Sequence, residues 1–552
     1  MPKQLLAAGG LLVSLLFSST VTASPAHGGS CVDSPRAVLT VCVAIDARGP
    51  YYEVFRGERR ILARSRLGLI LDGFGNEPAS HVSREKRASV DQRWEQPWGE
   101  QRLVEDRHNE LKLTLTGADS VHTEPYDVTV RVFDDGFGFR YEFNGVAAAR
   151  DVAILDELTE FHLAEGDGSA DFDAWWYPAR NTQRDEYLYH RGPLYEVNLA
   201  ETPLTLQSAG LYLSIHEAAL RDYASMNLRR TAERTLKADL MPWSDGVLVR
   251  KRGPFITPWR TVLVAETPAA LADSRLELNL NEPNKLGDTS WVRIGKYVGV
   301  WWEMHLGRST WGSGEKHGAT NANVKRYIDF AARYGFGGVL VEGWNKGWDG
   351  DWVANGKHFS FTDSYPDFDL PMLSAYARER GVRLIGHNET AGAIENYESQ
   401  LEAAMALYAA NQVSVVKTGY VKENGFIERP LPGGGVGHEW FAGQYRVRHE
   451  VKVAEVAAAH RVAIDAHEPV KDTGLRRTWP NMLSREGARG QEYNAWGRPT
   501  NSPDHLTILP FTRLLAGPMD FTPGIFDLTF GKTDVTQRVQ STLATQLAEY
   551  VV

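Results

Sequence analysis

The feature that most constrains the fold of this chain is a change in hydrophobic pattern near Asp288. After this point, short apolar segments alternate with longer segments of helical period. Strands that alternate with helices are typical of parallel βα units. Five consecutive units favour a (β/α)8 barrel over a short open sheet.

The individual segments follow directly from this pattern. The predicted strands are 294–302, 338–344, 383–389, 414–420 and 462–468, and the predicted helices are 321–334, 370–380, 395–411 and 441–460. A further strand is predicted at 519–524, followed by a helix at 536–549. Because an eighth strand does not follow, we expect the C-terminal end of the barrel to be incomplete.

Residues 30–285 have a different pattern, in which apolar and polar residues alternate with the period of half-buried strands. Examples are 111–115, 126–133 and 137–143, and Asp134-Asp135-Gly136 forms a turn signal between two of them. This pattern predicts an antiparallel β-sandwich. We therefore expect a signal peptide at 1–23, a β-sandwich domain at 24–285 and a barrel domain at 286–552.

The N-terminal residues predict export. Lys3 precedes an apolar run at 5–17, and Val21-Thr22-Ala23 is a small-residue cleavage site. The run is too short to span a bilayer as a helix, so we expect a periplasmic protein that is not inserted in the membrane. In that compartment a disulfide between Cys31 and Cys42 is favoured over two free thiols.

Composition excludes one class of partner and favours another. The formal net charge of −10 argues against nucleic-acid binding, which needs basic patches against phosphate. The chain has 16 Trp, 21 Tyr and 21 Phe, whose rings either stack on sugars or pack in the core. Trp301, Trp302, Trp344 and Trp348 fit both interpretations equally well.

Glutamates recur at the predicted strand ends, at Glu303, Glu342, Glu389 and Glu468, and two more follow in one segment as Glu486 and Glu492. Neighbouring carboxylates resist joint ionisation, so a pocket gathers them when a cation or a proton transfer uses them. Calcium prefers several oxygen ligands, and glycosidic bond hydrolysis needs two carboxyl groups. Both uses are consistent with a calcium-containing glycoside hydrolase.

Several motifs carry a resemblance to a known family. They include Ser65-Arg66-Leu67-Gly68-Leu69, Gly386-His387-Asn388-Glu389-Thr390, and the spacing from His467-Glu468 through Arg476-Arg477-Thr478-Trp479-Pro480-Asn481 to Glu486 and Glu492. The chain resembles glycoside hydrolase family 97, particularly its inverting α-glucosidase branch. The resemblance implies a calcium-dependent, exo-acting α-glucosidase that cleaves malto-oligosaccharides and other α-glucans with inversion, as a monomer or homodimer.

The resemblance also implies residue roles. Glu492 would be the general acid, and Glu389 and Glu468 would activate water. The implied calcium ligands are Glu186, Glu468, Glu486 and Glu492, with Glu196 as an alternative to Glu186. The implied substrate-binding residues are His387, Asn388, His467 and Glu342.

One position separates the branches of the family. Retaining members carry an aspartate nucleophile at the end of the fourth strand, where this chain has Gly419. The alternatives are an α-galactosidase of the same family or a non-catalytic carbohydrate-binding relative. A metal-dependent hydrolase of esters or amides is weaker, because neither a serine nucleophile elbow nor a His-rich zinc motif is present. His438 and His449 are interpreted as structural.

Overall fold

The computed structural model describes residues 29–74, 77–117, 124–146, 150–165, 171–180, 186–422 and 426–552. The predicted signal peptide at 1–23 lies outside the described residues. Within them, the chain forms a β-domain followed by a domain built on parallel strands. None of the described helices is long and apolar enough to cross a membrane.

The β-domain contains 21 of the described strands. They are Ser30–Asp33 (β1), Leu39–Asp46 (β2), Gly49–Arg56 (β3), Arg59–Arg66 (β4), Leu69–Leu71 (β5), His81–Glu95 (β6), Leu103–Thr116 (β7), Tyr126–Phe133 (β8), Gly136–Phe143 (β9), Asp151–Glu157 (β10), Glu160–His162 (β11), Asp173–Trp176 (β12), His190–Pro193 (β13), Leu199–Glu201 (β14), Leu204–Ser208 (β15), Leu211–Ala218 (β16), Met226–Ala232 (β17), Thr235–Leu240 (β18), Val249–Arg252 (β19), Phe255–Ile256 (β20) and Trp259–Ala265 (β21).

These strands form four described sheets, and all the paired neighbours run antiparallel, as predicted. The largest has the order β13-β12-β15-β16-β21-β9-β8-β7-β6 with β20 beside β9. One hydrophobic core joins the four sheets through residues such as Val41, Leu113, Ile154 and Leu228. Cys31 and Cys42 face each other across β1 and β2 and form a disulfide.

The second domain contains six parallel strands and one hairpin among the described residues. The parallel strands are Tyr297–Val300 (β22), Gly338–Val341 (β23), Arg383–Glu389 (β24), Val415–Gly419 (β25), Ala463–Ala466 (β28) and Met482–Arg485 (β29), which pair in that order. The hairpin is Phe426–Pro430 (β26) and Val436–Trp440 (β27).

The described α-helices lie between and around these strands. They are Pro268–Ala272 (α1), Leu276–Asn279 (α2), Trp302–His305 (α3), Asn321–Tyr334 (α4), Leu370–Glu379 (α5), Ile394–Ala410 (α6), Gln444–Ala459 (α7), Tyr493–Trp496 (α8), Pro503–Ile508 (α9) and Leu543–Glu549 (α10).

Local sequence explains why the central helices begin and end where they do. The Thr320 side chain accepts a hydrogen bond from the Asn323 amide at 3.2 Å and caps α4. Gly335 ends that helix at φ 76°, a left-handed conformation that glycine adopts without steric cost. Asp369 caps α5 in the same way, by accepting from the Met372 amide. These signals explain why the helix predicted at 321–334 is confirmed.

The C-terminal predictions agree less well. The strand predicted at 519–524 is wrong, since this described segment has no regular strand. Pro518 and Pro523 lack the N–H that a ladder needs. The backbone of this part of the chain shares two hydrogen bonds with Arg485, each 3.4 Å long: the Asp520 amide donates to the Arg485 carbonyl, and the Arg485 amide donates to the Pro518 carbonyl. The helix predicted at 536–549 is confined to α10.

We expect Phe137→Ala to destabilise the β-domain by about 3–5 kcal/mol, because it leaves a cavity in a close-packed core. Phe137 is fully buried, and its ring lies 6.0 Å from the Tyr52 ring. Urea unfolding followed by circular dichroism would measure the loss. Leu155→Ala is the control, since Leu155 is 45% exposed. Equal losses for the two variants would contradict the assigned core.

Candidate functional site

Functional side chains collect at one end of the parallel sheet. Glu342 directly follows β23, Glu389 is the last residue of β24, and Glu486 directly follows β29. The carboxyl ends of parallel strands meet at one edge, which is where such folds place their sites. All three side chains are buried. Strand order therefore brings together glutamates that are far apart in sequence.

Lys417 and Glu342 form a buried ion pair within this group. Lys417 Nζ donates to Glu342 Oε1 at 2.9 Å, and Trp311 Nε1 donates to Glu342 Oε2 at 2.8 Å. Burial opposes the charge on Glu342, but Lys417 and His387 lower the pKa of its carboxyl to about 2. Burial would likewise lower the pKa of Lys417, but Glu342, Asp520 and Glu486 raise it. Both groups are therefore charged at neutral pH.

Glu389 and Glu468 form a second pair, held by consecutive backbone amides. The Val421 amide donates to Glu389 Oε1 at 3.0 Å, and the Tyr420 amide donates to Glu468 Oε2 at 2.7 Å. Burial, and then repulsion from Glu468, raise the pKa of Glu389 well above its ordinary value. A raised pKa means that this carboxyl keeps a proton up to a higher pH than an ordinary glutamate, and that its ionised form is a stronger base.

A third group of carboxylates combines both domains. Ligand atoms of Glu186, Glu486 and Glu492 all lie within 4.8 Å of one another. Among the described residues, Glu492 Oε1 is buried and lacks a hydrogen-bond partner, whereas Glu486 Oε2 lies 3.1 Å from His467 Nδ1. Gly490 lies against both side chains, since a Cβ there would be 2.6 Å from Glu486 Oε1 and 2.7 Å from Glu492 Oε1. A carboxylate oxygen without a partner, in a compact group of carboxylates, fits a hard cation such as Ca²⁺.

The electrostatics of this group separate its members. Burial opposes the charge on Glu486, but His467 and Lys417 lower the pKa of its carboxyl. Burial, and then the Glu486 charge, raise the pKa of Glu492 to about 8. Two neighbouring carboxyl groups with divergent pKa values are typical of an acid beside a permanently ionised partner.

The structure separates the expected calcium ligands. Glu186 joins the group, whereas the alternative, Glu196, is exposed. Glu468 is not part of this group of mutually close ligand atoms, because its carboxylate accepts from the Tyr420 amide beside Glu389. Glu186 also accepts a hydrogen bond from Tyr493 Oη at 2.8 Å, one residue after Glu492.

His467 bridges two carboxylates instead of facing an open pocket. Its Nε2 lies 2.9 Å from Asp520 Oδ2, and its Nδ1 lies 3.1 Å from Glu486 Oε2. Burial opposes protonation, but Glu486 and Asp520 raise the pKa of His467 well above its ordinary value. The sugar contact expected of His467 would therefore compete with two ion pairs.

Strand alternation separates His387 from Asn388. His387 faces Glu342, with Nε2 at 3.7 Å from Glu342 Oε1, and its Nδ1 has no hydrogen-bond partner among the described residues. That nitrogen can contact a sugar hydroxyl. Asn388 points to the other face, where Tyr397 and Tyr408 of α6 bond its amide at 3.1 and 2.8 Å. The structure thus corrects the expected substrate contact of Asn388, because adjacent strand residues point to opposite faces.

Sequence reasoning missed several residues of the site. Lys417 carried the strongest signal, because a lysine inside an apolar parallel strand needs a buried partner. Trp311, His305 and Asp520 gave none, since each lies in a short helix or loop. Burial lowers the pKa of His305 to about 4, and its ring lies 5.1 Å from the Trp311 ring.

Two other expectations concerned isolated residues. Glu303 accepts hydrogen bonds from Asn323 Nδ2 at 2.8 Å and Tyr327 Oη at 3.2 Å, so it fastens α3 to α4. His449 lies between Glu398 Oε1 and Tyr420 Oη, at 2.8 Å from each. It therefore supports the segment whose amides hold Glu389 and Glu468, a role its isolated position in the sequence does not reveal.

Gly419 ends β25 directly beside Glu389. A Cβ at this position would lie 2.1 Å from Glu389 Oε2, closer than real Cβ contacts allow. A nucleophilic side chain at position 419 would therefore require Glu389 to move.

Family models match most of the chain. The model described as "Glycosyl-hydrolase 97 N-terminal" matches residues 32–283, and the model described as "Glycoside hydrolase 97" matches residues 301–488. The matched ranges fall on the β-domain and on the domain with parallel strands.

Solved structures of one bacterial enzyme are similar over most of the chain. The enzyme is described as a Glycoside Hydrolase Family 97 enzyme from Pseudoalteromonas sp. strain K8, solved in one case with acarbose and, as a variant, with panose. Each comparison gives 48% identity and a TM-score of 0.91, covering 94% of this chain and 78% of that chain.

Two curated relatives are more distant. A "Probable retaining alpha-galactosidase" of Streptomyces bingchenggensis is 28% identical over 538 residues, covering 94% of this chain and 74% of the relative. A "Retaining alpha-galactosidase" of Bacteroides thetaiotaomicron is 25% identical over 528 residues, covering 89% and 72%. These names contradict the expected inverting α-glucosidase and agree better with the alternative, an α-galactosidase of the same family. The family itself is established: this chain belongs to glycoside hydrolase family 97.

Proposed function

We propose that this chain is a family 97 α-glycosidase that hydrolyses terminal α-galactosides. The observation that carries the hydrolytic part is the grouping of buried Glu389 and Glu468 and half-buried Glu492 at one end of the parallel sheet, with the pKa values of Glu389 and Glu492 raised. The sugar is taken from the two curated relatives, both named α-galactosidases.

The charges of the site suit recognition of a sugar. Lys417, Glu342 and the unpartnered Nδ1 of His387 offer donors and acceptors in one buried group. Trp348 stacks on His387 with ring centroids 5.7 Å apart, which adds an aromatic face. Polar groups fixed by neighbours in this way discriminate between hydroxyl positions, because a mismatched hydroxyl leaves a buried group unpaired.

The carboxyl groups would divide the reaction between them. Glu492, whose pKa is about 8 when no cation is bound beside it, would donate a proton to the leaving oxygen. A cation bound beside it would lower this pKa towards neutral pH, where a general acid works best. Glu389 would accept a proton from water, assisted by the charge of Glu468. The amides of residues 420 and 421 hold both carboxylates in place.

The proposal extends to the fold. Five consecutive parallel pairings join β22 to β29, with the larger helices between the strands. Such a sheet matches the strand order of a (β/α)8 barrel, and the site lies at the carboxyl ends of its strands.

The first test is a substrate panel with the purified protein. We expect release of galactose from 4-nitrophenyl α-galactoside and from raffinose, with a kcat/KM at least about tenfold above that on the matching α-glucosides. NMR of the first-formed sugar would identify the anomer released.

Each outcome of the panel is informative. Hydrolysis of α-glucosides alone would overturn the proposed sugar and leave an α-glycosidase. No hydrolysis of any α-glycoside would overturn the enzyme and favour a carbohydrate-binding protein. Release of α-galactose first would mean that the reaction retains the anomeric configuration. Because Gly419 has no side chain, a residue elsewhere in the site would then have to provide the nucleophile.

We expect Glu492→Gln to reduce kcat on raffinose by about 10²–10⁴-fold, because the glutamine cannot protonate a poor leaving group. The loss on 4-nitrophenyl α-galactoside should be smaller, since nitrophenolate leaves without a proton. Initial-rate kinetics on both substrates would measure this difference. Glu303→Gln is the control, and equal losses on the two substrates would remove Glu492 from the role of acid.

The proposal includes a calcium ion held by Glu186, Glu486 and Glu492. The close grouping of their ligand atoms and the partnerless Oε1 of Glu492 support it. When bound, the ion would supply positive charge that offsets the mutual repulsion of these carboxylates. Glu186 comes from the β-domain, so the ion would also connect the two domains.

We expect calcium to raise the melting temperature of chelator-treated protein, because a ligand that binds only the folded state stabilises it. The gain is about 2.7 kcal/mol when the free ligand concentration is 100 times Kd. Glu186→Gln should weaken calcium binding at least about tenfold in a calorimetric titration. Glu196→Gln is the matched control. Identical affinities in the two variants, or no binding to the wild type, would contradict the site.

A further inference from the structure

The segment 469–474, which follows Glu468, lies on the β-domain. The Ala219 amide donates to the Thr473 carbonyl at 2.9 Å, and Asn281 Nδ2 donates to the same carbonyl at 2.8 Å. His216 Nε2 lies 2.8 Å from the Asp472 carbonyl. The backbone that continues from a site residue is therefore built into the neighbouring domain.

Lys471 forms the centre of this contact. It is 3% exposed, and its Nζ lies 3.0 Å from Glu201 Oε1 and 3.0 Å from Glu217 Oε1. The same nitrogen also donates to Thr202 Oγ1 and to the Met226 carbonyl. All four partners belong to the β-domain, so the ammonium group is satisfied entirely by that domain.

Charged groups surround Lys471 in the buried interior of the β-domain. Arg260 donates from Nη1 to Glu217 Oε2 and from Nη2 to Glu157 Oε2, each at 2.6 Å. Burial raises the pKa of Glu201. Two cations, Lys471 and Arg260, thus lie among three glutamates, Glu157, Glu201 and Glu217. Removing Lys471 alone would leave carboxylates without a partner in a dry interior and would destabilise the fold.

Glu468 needs such support because its backbone is strained. Its φ of 39° lies in the left-handed region, which non-glycine residues rarely adopt. Arg446 Nη2 donates to its carbonyl at 3.1 Å, and Glu450 Oε1 accepts from the Val470 amide at 2.7 Å. A strained residue persists where its surroundings fix it from several sides. Helix α7 provides one side, and Lys471 provides the other.

We infer that Lys471 is a positioning residue: through its buried contacts with Glu201 and Glu217, the β-domain holds the 469–474 segment and thereby fixes Glu468 beside Glu389. The catalytic part of this inference rests on the proposed function, whereas the structural part does not. Lys471 is not one of the residues that we propose to act on the sugar.

The test is Lys471→Met, read in two independent ways. We expect kcat to fall about 100-fold with KM within about threefold, since a displacement of about 1 Å in a catalytic group has this effect. We also expect faster hydrogen–deuterium exchange at residues 466–474. The kinetic substrate is the α-glycoside that the wild type hydrolyses best.

Arg448→Met is the matched control. Arg448 of α7 forms another ion pair between the domains, with Asp222, but both side chains are about half-exposed, at 44% and 45%. This variant should leave kcat and the exchange of 466–474 unchanged. An equal effect in both variants would show that any ion pair between the domains acts similarly, and would overturn a specific role of Lys471.

A double variant, Lys471→Met with Glu217→Gln, separates two effects of losing Lys471. One is the loss of the contacts that tether segment 469–474 to the β-domain, and the other is the loss of a positive charge. It removes one cation and one anion, so folding should recover even if K471M unfolds. We expect kcat to stay low and exchange to stay fast, because the tether is still absent. Recovery of both to wild-type values would overturn the inference. A wild type that hydrolyses no α-glycoside would refute the proposed function, while the exchange measurement would still test the tether.

Discussion

The rest of the site depends on how its buried carboxyl groups, which lie close to one another, are each kept charged or neutral. Glu342, Glu389, Glu468, Glu486 and Glu492 are all largely removed from solvent. Carboxylates in such a place must be paired, bonded by amides, or protonated. The structure uses each solution at a different residue: a lysine at Glu342, backbone amides at Glu389 and Glu468, an imidazolium at Glu486, and a raised pKa at Glu492.

These solutions explain why the site cannot belong to one domain. The parallel strands provide Lys417 and the amides after β25, but Glu186 comes from the β-domain. The β-domain also accepts the ammonium group of Lys471, three residues after Glu468. Its hydrophobic core also contains Ala442, Val447 and Val470 of the other domain. Apolar packing and buried charges therefore both connect the two domains near the site.

Much of this arrangement could be predicted from the sequence, because it depends on local pattern. The alternation of strands and helices gave β24 and α4 with their bounds, glutamates at strand ends gave Glu342 and Glu389, and the cluster of glutamates after residue 467 gave Glu486. Contacts between residues far apart in the chain could not be predicted from the local pattern. Glu186 and Glu196 have similar surroundings in the sequence, and only the fold shows that Glu186, and not Glu196, lies beside Glu492. Asn388 faces helix α6 on the other side of β24, although its neighbours in the motif, His387 and Glu389, face the site. The segment 519–524 failed as a strand because its prolines lack the amides of a ladder.

Gly419 shows how one backbone position links two properties of the site. Its missing side chain provides the space that Glu389 Oε2 occupies, so the glycine and the carboxylate are a single constraint. The Val421 amide then fixes the same carboxylate from the other side. His387 and Glu342, which we propose as sugar contacts, are not part of this constraint. On that proposal, a substitution at His387 or Glu342 would change sugar binding while Gly419 and Glu389 keep their arrangement.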